Sequence, residues 1–160
     1  MKSSNIMVID DERPICNACR MALSKRGHNV DISMTGKAGL ETILDGKYDV
    51  VLLDMKLPDI DGMDILKKVK TVQPNVFVIV MTGYSTIENA VEAMKLGAFD
   101  YLSKPFTDDE LAIAVDKAIE KKTLIEENLS LKKEILDRFS FDNIIGGCPK
   151  MLKVFRQVEK

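Results

Sequence analysis

The chain has 160 residues, 46% of them apolar and 30% charged, enough to bury one core and leave length over, so one domain with a tail is expected. A net charge of -2 gives no basic footprint, which argues against nucleic-acid contact by this stretch. No apolar run reaches membrane-spanning length, and residues 1–4 lead straight into a strand-like run and not a signal peptide, so a cytoplasmic protein with no membrane partner is expected.

Residues 5–9 form a short apolar run ending in Asp10-Asp11-Glu12, and Pro14 stands where a first helical position tolerates a missing N–H. The helix that follows carries Ile15, Ala18, Cys19, Ala22 and Leu23 at helical spacing and stops at Gly27. Cys16 and Cys19 have the C-x-x-C shape of a redox motif. Three cysteines in all, without a second ligand pair, favour small apolar residues on a packed helix in a reducing compartment. His28 reads as a surface loop residue. A weaker strand over 29–33 precedes a helix that begins at Thr35, carries Leu40, Ile43 and Leu44, and stops at Gly46.

The next stretch, YDVVLLDMKLPDIDG, is the most informative. Val50, Val51, Leu52 and Leu53 lack the alternation of a half-wet strand and read as one covered on both faces, running directly into Asp54 and a loop. Asp61 caps a helix bearing Met63, Ile65, Leu66 and Val69 that Pro74 closes. Residues 76–81 are a second fully buried strand, and Ser85 with Glu88 forms a capping box for a helix ending at Gly97. A brief fifth strand over 100–103 leads to Lys104-Pro105. Thr107 with Glu110 is another capping box, opening a helix that meets no Gly or Pro until Gly146. Along it Leu111, Val115, Ala118, Lys122, Ile125, Leu129, Lys132, Leu136 and Phe139 alternate steps of four and three, the spacing of a coiled coil. A homodimer is expected through Ala118, Ile125, Leu129, Leu136 and Phe139.

Strands alternating with helices predict a doubly wound, five-stranded parallel α/β sheet with an extended C-terminal helix. Strands one, three and four end in Asp10-Asp11, Asp54 and Thr82-Gly83. A shared polar site requires strands one and three to be neighbours, which selects the flavodoxin-like order 2-1-3-4-5. Carboxylates gathered there repel by about 4 kcal/mol per pair at roughly 4 Å. They call for a counter-charge, which Mg²⁺ or Mn²⁺ and Lys104 can supply. A carboxylate, a divalent ion, a lysine and a threonine hydroxyl around one point make a phosphoryl-transfer site with Asp54 as nucleophile.

Together Asp10-Asp11, Asp54 with Lys56-Leu57-Pro58-Asp59-Ile60-Asp61-Gly62, Thr82-Gly83 and Tyr101-Leu102-Ser103-Lys104-Pro105-Phe106 resemble the receiver domain of two-component response regulators. The resemblance implies that Asp54 accepts a phosphoryl group from a sensor histidine kinase. It further implies that Asp10, Asp11, Asp54 and the Lys56 backbone carbonyl serve Mg²⁺, Asp10 through water. Lys104 would pair with the phosphoryl group, Thr82 beside Gly83 would hydrogen-bond it, and Tyr101 would turn inward to follow Thr82. The chain would be no enzyme beyond self-catalysed transfer to Asp54 and slow autodephosphorylation.

The tail, Phe141-Asp142-Asn143-Ile144-Ile145-Gly146-Gly147 with Pro149 and Met151, resembles the start of the AAA+ ATPase domain of NtrC-type, sigma-54-dependent transcription activators. That reading divides the chain into a receiver domain at 1–121, an extended helix and coiled-coil linker at 107–139, and a truncated AAA+ start at 140–160. Sigma-54 RNA polymerase and DNA would then be partners of the longer protein. No phosphate-binding G-x-x-x-x-G-K-[ST] occurs in these residues. Two other readings share parts of the pattern. A haloacid-dehalogenase-like phosphatase wants a second acid where Lys56 stands, and a flavodoxin-type FMN carrier wants a phosphate loop where Asp10-Asp11-Glu12 would repel one.

Overall fold

A computed structural model of the chain describes residues 3–83 and 87–138. Its first compact unit, residues 1–122, is a parallel sheet of β1 (Asn5–Ile9), β2 (Asn29–Ser33), β3 (Val50–Asp54), β4 (Phe77–Thr82) and β5 (Asp100–Ser103) in the order β2-β1-β3-β4-β5. Between the strands run α1 (Arg13–Ser24), α2 (Gly36–Asp45), α3 (Gly62–Val72) and α4 (Ile87–Lys95), and α5 (Asp108–Arg138) follows β5. The expected fold and strand order are therefore those observed.

Alternation along each strand builds two cores. Ile6, Val8, Val50, Leu52, Ile79 and Met81 face α1 and the first turns of α5, while Met7, Ile9, Val51, Leu53, Val78 and Val80 face α2, α3 and α4. Burial of each such side chain contributes about 1.5–3 kcal/mol, which is why the central strands tolerate no polar residue until their carboxyl ends. Caps set the helix starts. Asp61 accepts the Met63 N–H at 2.7 Å, and Thr107 and Glu110 exchange the reciprocal bonds of a capping box, Glu110 accepting the Thr107 N–H at 2.8 Å and Thr107 Oγ1 the Glu110 N–H at 3.2 Å.

Several local expectations are corrected. Arg13, not Pro14, is the first residue of α1, and β4 begins one residue later than the apolar run, which makes Thr82 its last residue. On α1 it is Cys16 that is buried and Ala18 that is exposed; Leu44 on α2 is likewise exposed. Cys16 and Cys19 are free, packed thiols, pushed up by burial to about 11 and about 12, as the packed-helix reading requires. His28 is no surface residue: it is 5% exposed, and neither ring nitrogen has a hydrogen-bond partner among the described residues. The turn at Gly27, with a φ of 87°, swings the chain so that the next side chain enters the protein.

The regular seam along α5 divides in two. Leu111, Val115 and Ala118 are buried in the first core, so Ala118 is unavailable to a second copy. Lys122 is half-buried and ion-paired with Asp49, the residue just before β3. From there Ile125, Leu129 and Leu136 are exposed, together with Leu124, Leu131 and Ile135, which the regular seam did not include. Ser85, Phe139 and residues 140–160 lie outside the described residues.

Candidate functional site

Because β1, β3 and β4 are adjacent and parallel, their carboxyl ends deliver Asp10, Asp54 and Thr82 to one edge of the sheet. Asp10 is fully buried, Asp54 5% exposed and Thr82 3% exposed. Lys104, just past β5, reaches back across that edge. Its Nζ lies 2.7 Å from Asp10 Oδ2, 2.8 Å from Asp54 Oδ2 and 3.4 Å from Glu12 Oε1. The backbone N–H of Lys104 donates to the Thr82 carbonyl at 2.9 Å, which ties the lysine to the end of β4.

The remaining oxygens are also placed. The Glu12 N–H donates to Asp10 Oδ1 at 2.9 Å, and the Lys56 N–H donates to Asp54 Oδ1 at 3.0 Å. Burial alone would depress the Lys104 ammonium, but hydrogen bonds to Asp10 and Asp54 hold it above the ordinary lysine range. Burial raises Asp10 against the opposing pull of Lys104. The cluster opens on a cleft of about 600 Å³ whose polar wall is Asp11, Glu12, Asp54, Lys56, Thr82, Gly83 and Lys104 and whose apolar wall includes Pro14, Ile15 and Phe106.

Glu12 was missed by sequence reasoning. It, and not the exposed Asp11, brings a carboxylate oxygen within 4.8 Å of those of Asp10 and Asp54. The run Asp10-Asp11-Glu12 carried the signal, but which of its two exposed members reaches the buried Asp10 and Asp54 depends on where α1 starts. Three carboxylates against one ammonium leave an excess of negative charge on hard oxygen donors, a set that fits a small divalent cation.

Asp59 was also unforeseen. Its two oxygens accept the Gly36 N–H at 2.9 Å and the Lys37 N–H at 2.8 Å, so a residue of the β3–α3 loop caps α2. These bonds lower its carboxyl below the usual range. Gly62 closes the same loop. A Cβ there would stand 2.6 Å from Met55 Cα and 2.8 Å from the Asp54 carbonyl oxygen, so only glycine lets the loop fold back on the strand. Tyr101, paired with Val80, has a buried hydroxyl. Burial raises its phenol, and the β4–β5 register brings it beside the pocket that Thr82 also lines, so the two expected switch residues share one surface.

Comparison with known proteins agrees with this geometry. Residues 6–116 match the response regulator receiver domain family. The chain belongs to that family. It is 35% identical over 162 residues to an NtrX-like response regulator from Rickettsia typhi, covering 100% of this chain and 34% of the relative. It is 31% identical over 157 residues to the regulatory protein AtoC of Escherichia coli, covering 98% of this chain and 34% of that protein. Among solved structures, NtrX from Brucella abortus superposes with a TM-score of 0.77 at 29% identity, over 99% of this chain and 34% of that one. This receiver thus spans about a third of the length of the curated relatives it matches. The phosphatase alternative finds no support. Among the described residues, no helix is long and apolar enough to cross a membrane.

Proposed function

We propose that Asp54 is the phosphoacceptor of this receiver, charged by a sensor histidine kinase and read out through Thr82 and Tyr101. One observation carries the reading: Asp54 is a nearly buried carboxylate whose Oδ2 is held 2.8 Å from Lys104 Nζ at the mouth of a cleft. The Lys56 N–H holds Oδ1, so the carboxylate is oriented before any phosphoryl group arrives.

In the transfer, an Asp54 oxygen forms a bond to phosphorus as the bond from phosphorus to the donor breaks, the electron pair leaving with the kinase imidazole or, from acetyl phosphate, with acetate. Lys104 exchanges its bond to Asp54 for one to a phosphoryl oxygen. The Thr82 hydroxyl donates to another, Gly83 leaves room beside it, and Tyr101 follows Thr82. Asp10, Asp11, Glu12 and Asp54, with the Lys56 carbonyl, would hold Mg²⁺ or Mn²⁺. When bound, the ion supplies charge neutralisation on the transferring oxygens. Autodephosphorylation of Asp54 is proposed to be slow.

The longer protein is proposed to be a cytoplasmic, sigma-54-dependent activator. Residues 1–121 form its receiver, 107–139 its linker helix and 140–160 the start of an AAA+ domain, with sigma-54 RNA polymerase and DNA as partners. Support comes from relatives such as AtoC and the NtrX-like protein, whose similarity runs on through the tail. The part of α5 beyond Lys122, whose apolar side chains are exposed, would join two copies.

Intact-protein mass after acetyl phosphate and Mg²⁺ tests the site. One phosphoryl adduct is expected on the native chain and none on Asp54→Asn, whose amide is no nucleophile. A full adduct on the variant would overturn the assignment.

A further inference from the structure

The exposed part of α5 carries two apolar ridges. Ile125, Leu129 and Leu136 form one; Leu124, Leu131 and Ile135 form the other and are 56%, 59% and 55% exposed. At roughly 100° per residue the two flank a line through Asn128 and Lys132, and the opposite face is polar throughout, with Glu126, Glu127, Ser130, Lys133, Glu134 and Asp137. A two-stranded coil buries only a narrow seam, so one ridge must lead.

Resting on the proposed dimer, we infer that two copies join in parallel and in register through the ridge Leu124, Asn128, Leu131 and Ile135, not through Ile125, Leu129 and Leu136. In heptad terms Leu124 and Leu131 take d positions, and Asn128 and Ile135 take a positions. Leucine at d with a β-branched residue at a favours two strands, and a single asparagine at a sets register. The competing ridge instead places Lys132 in its seam, where its ammonium would lose water without an acid facing it.

Flanking charges point the same way. In the chosen register Glu127 is a g residue and Lys132 the e residue five positions on. Glu127 of one copy therefore meets Lys132 of the other, twice per dimer. The alternative register sets Asn128 against Lys133 and Lys121 against Glu126, so its one ion pair lies at the receiver end of the seam, and it brings both Lys122 and Lys132 into the seam. Orientation follows from Asn128. Side by side in a parallel pair, one amide N–H donates to the other amide's oxygen. An antiparallel pair that kept the two asparagines opposite would set Ile135 against Lys121 and Leu124 against Lys132.

Variants of the full 160-residue chain that add one exposed cysteine in a Cys148→Ser background, where the native Cys16 and Cys19 are buried, decide the register by oxidative cross-linking, with sedimentation run alongside. Leu131→Cys and Asn128→Cys are expected to give several-fold more covalent dimer than Leu129→Cys or Leu136→Cys. Glu127→Lys is expected to weaken association several-fold, and adding Lys132→Glu to restore it. A dimer cross-linked best through 129 and 136, or one not rescued by the charge exchange, overturns the register and leaves the dimer standing. A monomer at tens of micromolar overturns both.

Discussion

Two regions of this receiver invert the usual sorting of side chains. At the strand ends, carboxylates and an ammonium are buried, while along the second half of α5 leucines and isoleucines stand in water. The buried charges are tolerable because each has partners within 3 Å. The exposed apolar residues from Leu124 on belong to the second compact unit, whereas Leu111, Val115 and Ala118 earlier in the same helix are buried in the core of the sheet. The first inversion is complete within one chain, whereas the second calls for another.

The largest effect should come from breaking the buried cluster. Lys104→Ala leaves Asp10 and Asp54 buried without their counter-charge and is expected to cost about 3–5 kcal/mol in urea unfolding without metal. Added Mg²⁺ should recover part of it. A variant as stable as the native chain would mean that the cluster is wetter than its geometry implies.

The same substitution at two places on α5 sharpens the contrast. Leu111→Ala removes a fully buried side chain and is expected to cost about 2–5 kcal/mol. Leu131→Ala should stay within about 0.5 kcal/mol for the monomer and act only on association. Equal losses at both sites, by denaturation at low protein concentration, would erase the distinction. Truncation after Lys122, which keeps its ion pair with Asp49, should likewise leave a folded receiver that accepts a phosphoryl group and no longer dimerises. Light scattering and intact mass on that shorter chain check both halves.

The smallest effect concerns His28, a buried polar group that, unlike Lys104, lacks a hydrogen-bond partner among the described residues. Burial lowers its folded-state pKa, Asp116 opposing and Arg26 assisting. The unfolded chain therefore takes up a proton first as pH falls below about 6.5, so stability declines from there down to the folded value, by at most about 1.4 kcal/mol per pH unit. His28→Gln should flatten that part of the profile in pH-dependent thermal unfolding.

The sequence alone determined what depends on local pattern. Unbroken apolar runs at 50–53 and within 77–81 specify strands covered on both faces. Asp61 and the Thr107/Glu110 pair specify helix starts, since a cap bonds within its own turn. Asp54 and Lys104 were legible because parallel strands must end on one edge. What the tertiary structure decided was which neighbour each polar group meets. Glu12 rather than Asp11 reaches the buried carboxylates, although both are exposed, and Asp59 caps a helix more than twenty residues away. His28 is swallowed after a left-handed glycine, and Ala118 is spent on the core of its own sheet. Each of these rests on the packing of elements distant in sequence, and a one-dimensional pattern carries no record of that packing.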